Sequence, residues 1–209
     1  MTAQLATVNE RILADVEDDA SAVRDNTISP SRTSDGSQID GIEFHSGYLS
    51  PHFITDPEHM EVVFDNVYVL VHQGTISSRK DLHPLLEQIT KTGRPVLIIA
   101  EDITGEALAT LVVNNLSGDL HVAAVRAPGL GDQRKSMLHG IALFTGGKTN
   151  TEGIAIQLSD MQISDLGQAR RITVDKSHTR IATFESRDPL QRMPISFAAA
   201  AGIPPEFDS

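Results

Sequence analysis

Residues 98–147 decide how this chain is read. They open with Ile98-Ile99-Ala100-Glu101-Asp102 and run through Gly105-Glu106-Ala107-Leu108-Ala109-Thr110-Leu111-Val112-Val113-Asn114. They continue with Ala127-Pro128-Gly129-Leu130-Gly131-Asp132 and close at Thr145-Gly146-Gly147. Val96–Ala100 is a short unbroken apolar run, the pattern of a buried strand. The spacing predicts a helix over Glu106–Leu116 ending before Gly118, then a strand over His121–Val125. Two strands joined by a short helix form a βαβ unit, which implies parallel pairing and a right-handed crossover.

The helix carries more apolar surface than one buried face can use. At about 100° per residue, Leu108, Leu111, Val112, Val113 and Leu116 sweep an arc of roughly 200°, whereas a sheet-facing stripe needs about 100° or somewhat more. Either another element covers the remainder, or the helix borders an exposed groove suited to an amphipathic or extended guest segment.

Working outward, Val67–Val71 reads as a buried strand and Ser78–Thr92 as a helix stopped by Gly93. Leu82, Leu85, Leu86 and Ile89 give it a single stripe. Pro84 suits only a first helical turn, so the helix proper is expected to begin near Leu82. A third helix is predicted over Asp132–Phe144, and later strands over Ile154–Leu158 and Arg171–Val174. The sum is an α/β domain with a mixed sheet flanked by helices, expected to span 41–185. Residues 186–209, with four prolines beside the Ala198–Ala201 run, read as a flexible tail. Residues 1–40 hold eight Asp/Glu against three Arg. They read as a separate acidic segment: a short helix within 3–24 (Leu5, Val8, Ile12, Leu13, Val16) and a Ser/Asp/Gly linker over Thr27–Gln38.

Composition excludes several classes of function. A net charge of −11 argues against nucleic acid and anionic membrane as partners. The absence of cysteine removes disulfides, thiolate nucleophiles and sulfur metal sites. No signal peptide or membrane-length apolar run is read in the chain, so a cytoplasmic protein is expected.

Reaction chemistry is sparse. Gly129-Leu130-Gly131 begins like a dinucleotide fingerprint, but the third glycine position is Arg134. The eight histidines show no metal-binding spacing, and Ser50 has no nucleophile elbow. No phosphate-binding loop precedes a Lys-Ser/Thr pair, so no cofactor is expected. Glu101-Asp102 follows a strand, where α/β enzymes place catalytic groups; Asp102 could equally cap the next helix. Tyr48-Leu49-Ser50-Pro51-His52-Phe53 is an aromatic loop that either offers contact area beside a groove or pins itself to the core.

Taken in order, Gly47-Tyr48-Leu49-Ser50-Pro51, Leu97–Asp102, Gly105–Asn114, Ala127–Lys135 and Asp165-Leu166-Gly167-Gln168-Ala169 resemble the apical domain of the group I, GroEL-type chaperonins, over Gly41 to about Ile181. The resemblance implies an apical-domain fold that captures non-native polypeptides, and the co-chaperonin's mobile loop, in a groove between two helices. Carried over by position, the binding surface is Tyr48, Ser50, His52 and Phe53 in the loop, His83 and Leu86 on the first helix, and Leu108, Val112, Val113 and Asn114 on the second. His52 stands where the family has an aromatic, His83 where it has a leucine and Ser117 where it has a basic residue. All three make the groove more polar. The family's ATP-binding equatorial domain has no counterpart here, and residues 1–40 resemble at most a remnant of its intermediate segment. The expectation is a monomer that binds unfolded chains through exposed apolar side chains, without ATP. Two other readings stay open: a chaperonin fragment without function, and an α/β small-molecule enzyme using Glu101 or Asp102.

Overall fold

The computed structural model describes residues 28–32, 39–148 and 157–184. The expected helix within 3–24 and the tail from 186 lie outside the described residues. Seven strands form one mixed sheet: β1 (Ile28–Arg32), β2 (Ile39–Phe44), β3 (Val62–Ile76), β4 (Val96–Ile103), β5 (Val122–Arg126), β6 (Gly167–Val174) and β7 (Thr179–Ala182), in the order β1-β2-β7-β6-β3-β4-β5. Among the described residues three α-helices accompany it: α1 (Arg79–Thr92), α2 (Gly105–Ser117) and α3 (Gly131–Thr145).

The expected βαβ pattern is present. β3, β4 and β5 pair in parallel, with Tyr68 opposite Val96 and Val96 opposite Val122. The rest of the sheet is antiparallel. Val67–Val71 and Val96–Ala100 are buried without interruption, which requires both faces of these strands to be covered. The crossovers α1 and α2 cover one face, and α3 packs against β3 and β6. The buried residues form one continuous core from Ile28 to Ile181.

Three sequence expectations change. The sheet begins before residue 41, because Ile28–Arg32, read as linker, pairs with β2 from Ile28↔Phe44 to Arg32↔Ile39. Among its described side chains Ile28 is fully buried, and Pro30 is tolerated because an edge strand pairs on one side only. The strand's sequence, Ile-Ser-Pro-Ser-Arg, has no readable apolar alternation. Helix α1 starts at Arg79, with the Ser78 hydroxyl accepting the Lys80 N–H at 3.2 Å. Pro84 sits inside it, leaving the carbonyl of exposed Lys80 to solvent. Gly93 ends the helix in the left-handed region at φ 68°. Of the strand expected over Ile154–Leu158, residues 154–156 lie outside the described residues, and Leu158 opens a 3-10 turn (Leu158–Asp160) packed on α1. Among the described residues, no helix is long and apolar enough to cross a membrane.

Candidate functional site

Helix α2 is flanked by α1 on one side and by the 3-10 turn Pro51–Phe53 on the other. This arrangement settles where its surplus apolar arc goes. Leu108 is 2 % exposed and Val112 is fully buried. The turn covers part of the arc: Phe53 is fully buried, and Ser50, itself 2 % exposed, accepts the His52 N–H with its hydroxyl at 3.3 Å. The loop behind the turn is tied to the outer edge of β5, where Leu49 N–H donates to the Ala124 carbonyl at 2.8 Å and Tyr48 bridges to Val125. Burial, and then the nearby Asp175 carboxylate, raise the Tyr48 phenol above its ordinary value.

The expectation of open greasy side chains therefore fails for Phe53, Leu86, Leu108 and Val112, and Ser50, assigned to the same surface, is buried as well. Each is buried by this chain's own elements, Leu86 at 5 % exposure. The Tyr48–Phe53 loop pins itself to the core, and it does so beyond α2, away from the α1 side. Of the surplus arc, only Leu116 is well exposed, at 58 %, and Val113 is half-buried.

Between α1 and α2 there is nevertheless a groove of about 950 Å³. Four of the sequence-named residues meet there: His83, Leu86, Val113 and Asn114. Leu86, Ala109 and Val113 supply an apolar floor. The walls were not read from the sequence, and they are charged. The α1 wall carries Arg79, Lys80 and Lys91 against Glu87, while Glu106 and Asp119 stand on the α2 side. His83 Nδ1 is 3.7 Å from the Glu87 carboxylate. A signal for these walls was present. Arg79, His83, Leu86, Glu87 and Thr90 share one helical face, as do Glu106, Ala109, Thr110, Val113 and Asn114, through spacings of three and four residues. An eye set on apolar stripes passes over such mixed faces.

At the carboxyl ends of the parallel strands, Glu101 and Asp102 are each matched to an arginine. The Arg126 guanidinium donates to both Asp102 oxygens, Nε at 2.8 Å and Nη2 at 3.3 Å. Arg134 pairs with Glu101 while its Nε donates to the Gly129 carbonyl at 3.1 Å. Asp102 accepts the Ile103 N–H at 2.9 Å, and the N-cap position of α2 is held by Thr104, whose side chain makes no capping bond, so the capping role suggested for Asp102 is not what it does. The Gly129–Gly131 segment leads into α3, with Arg134 spanning back over it. Among the described residues, no three His, Asp or Glu side chains gather so as to hold a metal ion. Compared with models of known protein families, the chain matches none.

Proposed function

We propose that this chain is a chaperonin apical-domain-like protein that binds non-native polypeptides in the groove between α1 and α2, without an ATPase of its own. The observation that carries the reading is the meeting of His83, Leu86, Val113 and Asn114 in one groove, at positions the family resemblance assigns to guest binding. The apolar floor is narrow, so the reading rests on a cleft with charged walls and not on open helix faces. A guest segment that buries a few hundred Å² there gains several kcal/mol at ~25 cal/mol per Å², much of it offset by the cost of association. Binding of this kind is weak and tolerant of guest sequence. The charged walls add a component that salt screens over about 8–10 Å. The co-chaperonin's mobile loop would use the same cleft.

The test is suppression of aggregation of a chemically denatured test protein, with Val113→Asp and Thr110→Asp compared against wild type. Both substitutions place a charge in the groove without entering the core. Charges at Leu108 or Val112 would instead unfold the helix packing and say nothing of binding. Protection by wild type, reduced several-fold in both variants, is expected. If wild type gives no protection, or both variants protect equally well, the groove is not a guest site. The paired state of Glu101 and Asp102 favours a structural role for both carboxylates over the enzyme reading.

A further inference from the structure

The charge division of the groove points to an occupant within this chain. Along α1 the wall is predominantly basic, with Arg79, Lys80 and Lys91 against Glu87, and the floor between the helices is apolar. The matching chemistry is an amphipathic segment with acidic flanks. Residues 5–16 have that composition: Leu5, Val8, Ile12 and Val16 recur at i, i+3, i+7 and i+11 beside Glu10 and Asp15, and Glu17, Asp18 and Asp19 flank the segment directly. Arg11 adds one positive charge to the segment.

Reach is compatible. Ile28 opens β1 level with Phe44, which is level with Thr179, then Val174 and then Val62. That is the end of the sheet at which α1 finishes, since Arg94 Nε donates to the Asn66 carbonyl at 3.0 Å. Four to five strand steps of ~4.8 Å, the ~10 Å step up to the helix layer and the ~20 Å along β3 from Val62 to Tyr68, which lies opposite Val96, place the Lys91 end of the groove roughly 30–35 Å from Ile28. Residues 17–27 span up to about 36 Å when extended.

We infer that residues 5–16 dock as an acidic amphipathic segment in the α1–α2 groove of the same chain, and compete there with any guest. The guest-release part of this statement rests on the proposed function; the docking itself does not. In the full-length chain, a photo-crosslinking residue is placed at Ile12. The expected result is an intramolecular crosslink mapping to residues 79–91 or 106–117, lost on Lys80→Glu/Lys91→Glu. Crosslinks elsewhere, or none, would overturn the docking. Crosslinked dimers would make a second copy the occupant and overturn it equally. In parallel, Val8→Asp/Ile12→Asp should raise affinity for a fluorescent apolar test peptide at least threefold. A chain that crosslinks to the groove while even its Val8→Asp/Ile12→Asp variant binds no test peptide upholds the docking and sinks guest binding. A chain that binds the peptide but never crosslinks there does the reverse.

Discussion

The Asn115 carboxamide donates to the His52 carbonyl at 2.9 Å, and its oxygen accepts the Val122 N–H at 3.1 Å. One side chain of α2 thus holds the 3-10 turn on one flank and closes the outer edge of β5. The covering of Phe53 and of part of the α2 arc depends on it. Asn115→Ala leaves a carbonyl and an amide without partners in a half-buried place, at a cost of about 1–3 kcal/mol. Equilibrium denaturation should show that loss. An environment-sensitive dye should bind the variant more strongly than wild type, because the turn over the apolar arc is loosened. An unchanged dye signal together with unchanged stability would mean that Asn115 does not hold the turn.

Gly47 lies against the backbone of the turn Asp175–His178. A Cβ there would run into the Lys176 carbonyl and come within 2.6 Å of the Ser177 nitrogen. That turn cannot easily give way. The Asp175 carboxylate accepts from the Ser177 N–H at 2.7 Å and the His178 N–H at 2.8 Å, and the Thr179 hydroxyl donates to the Ser46 carbonyl at 2.6 Å. Gly47→Ala is expected to destabilise by about 1–3 kcal/mol through overpacking. Gly93→Ala is the control: it meets no neighbouring atom but keeps a left-handed φ, a cost of about 1–2 kcal/mol. Asparagine tolerates that conformation, so Gly93→Asn should recover most of the loss while Gly47→Asn should not. Thermal melts of the four variants separate crowding from backbone strain.

Stability should fall as pH falls through the histidine range. Burial holds the His72 imidazole below its ordinary value, and the Asp81 carboxylate opposes this to a smaller extent. Its Nδ1 has no hydrogen-bond partner. The folded state therefore favours neutral His72. Its stabilising contribution is complete above the unfolded value near 6.5 and is lost as pH drops below it. The exposed His59 works in the opposite sense, since its hydrogen bond to Asp56 raises its pKa. Denaturation midpoints at pH 7.5 and 5.5 should differ less in His72→Gln than in wild type. His59→Gln should leave the difference at least as large. Equal slopes in all three proteins would remove His72 as the source.

Periodicity carried the parallel half of the fold because each of its elements has a complete local signature: Val67–Val71 and Val96–Ala100 as apolar runs, α2 between Asp102 and Gly118, and α3 closed by Gly146. The antiparallel half was less legible. β1, with Ser29, Pro30 and Ser31, owes its place to the ladder it forms with β2 and to one buried isoleucine. For the site, the 200° arc of α2 correctly signalled two apolar contacts, yet the second partner lies 63 residues away through the Asn115–His52 hydrogen bond. No local pattern reveals such a pairing. Of the groove's floor the sequence named Leu86 and Val113 but not Ala109, and its charged walls needed the two helices to be placed side by side.

Leu108 and Leu116 sit eight residues apart on the same helix and separate the covered part of the arc from the open part. Leu108 is 2 % exposed and Leu116 is 58 % exposed. Leu108→Ala should cost about 2–5 kcal/mol, the ordinary loss for a leucine removed from a close-packed core. Leu116→Ala should stay within about 0.5 kcal/mol of wild type. The two variants have the same composition, so any difference between them reports burial alone. If guest binding used the whole apolar arc, Leu116→Ala would also weaken protection of a denatured test protein. The groove between α1 and α2 does not include Leu116 among its lining residues, so protection by this variant is expected to equal wild type, measured beside Val113→Asp in the same assay.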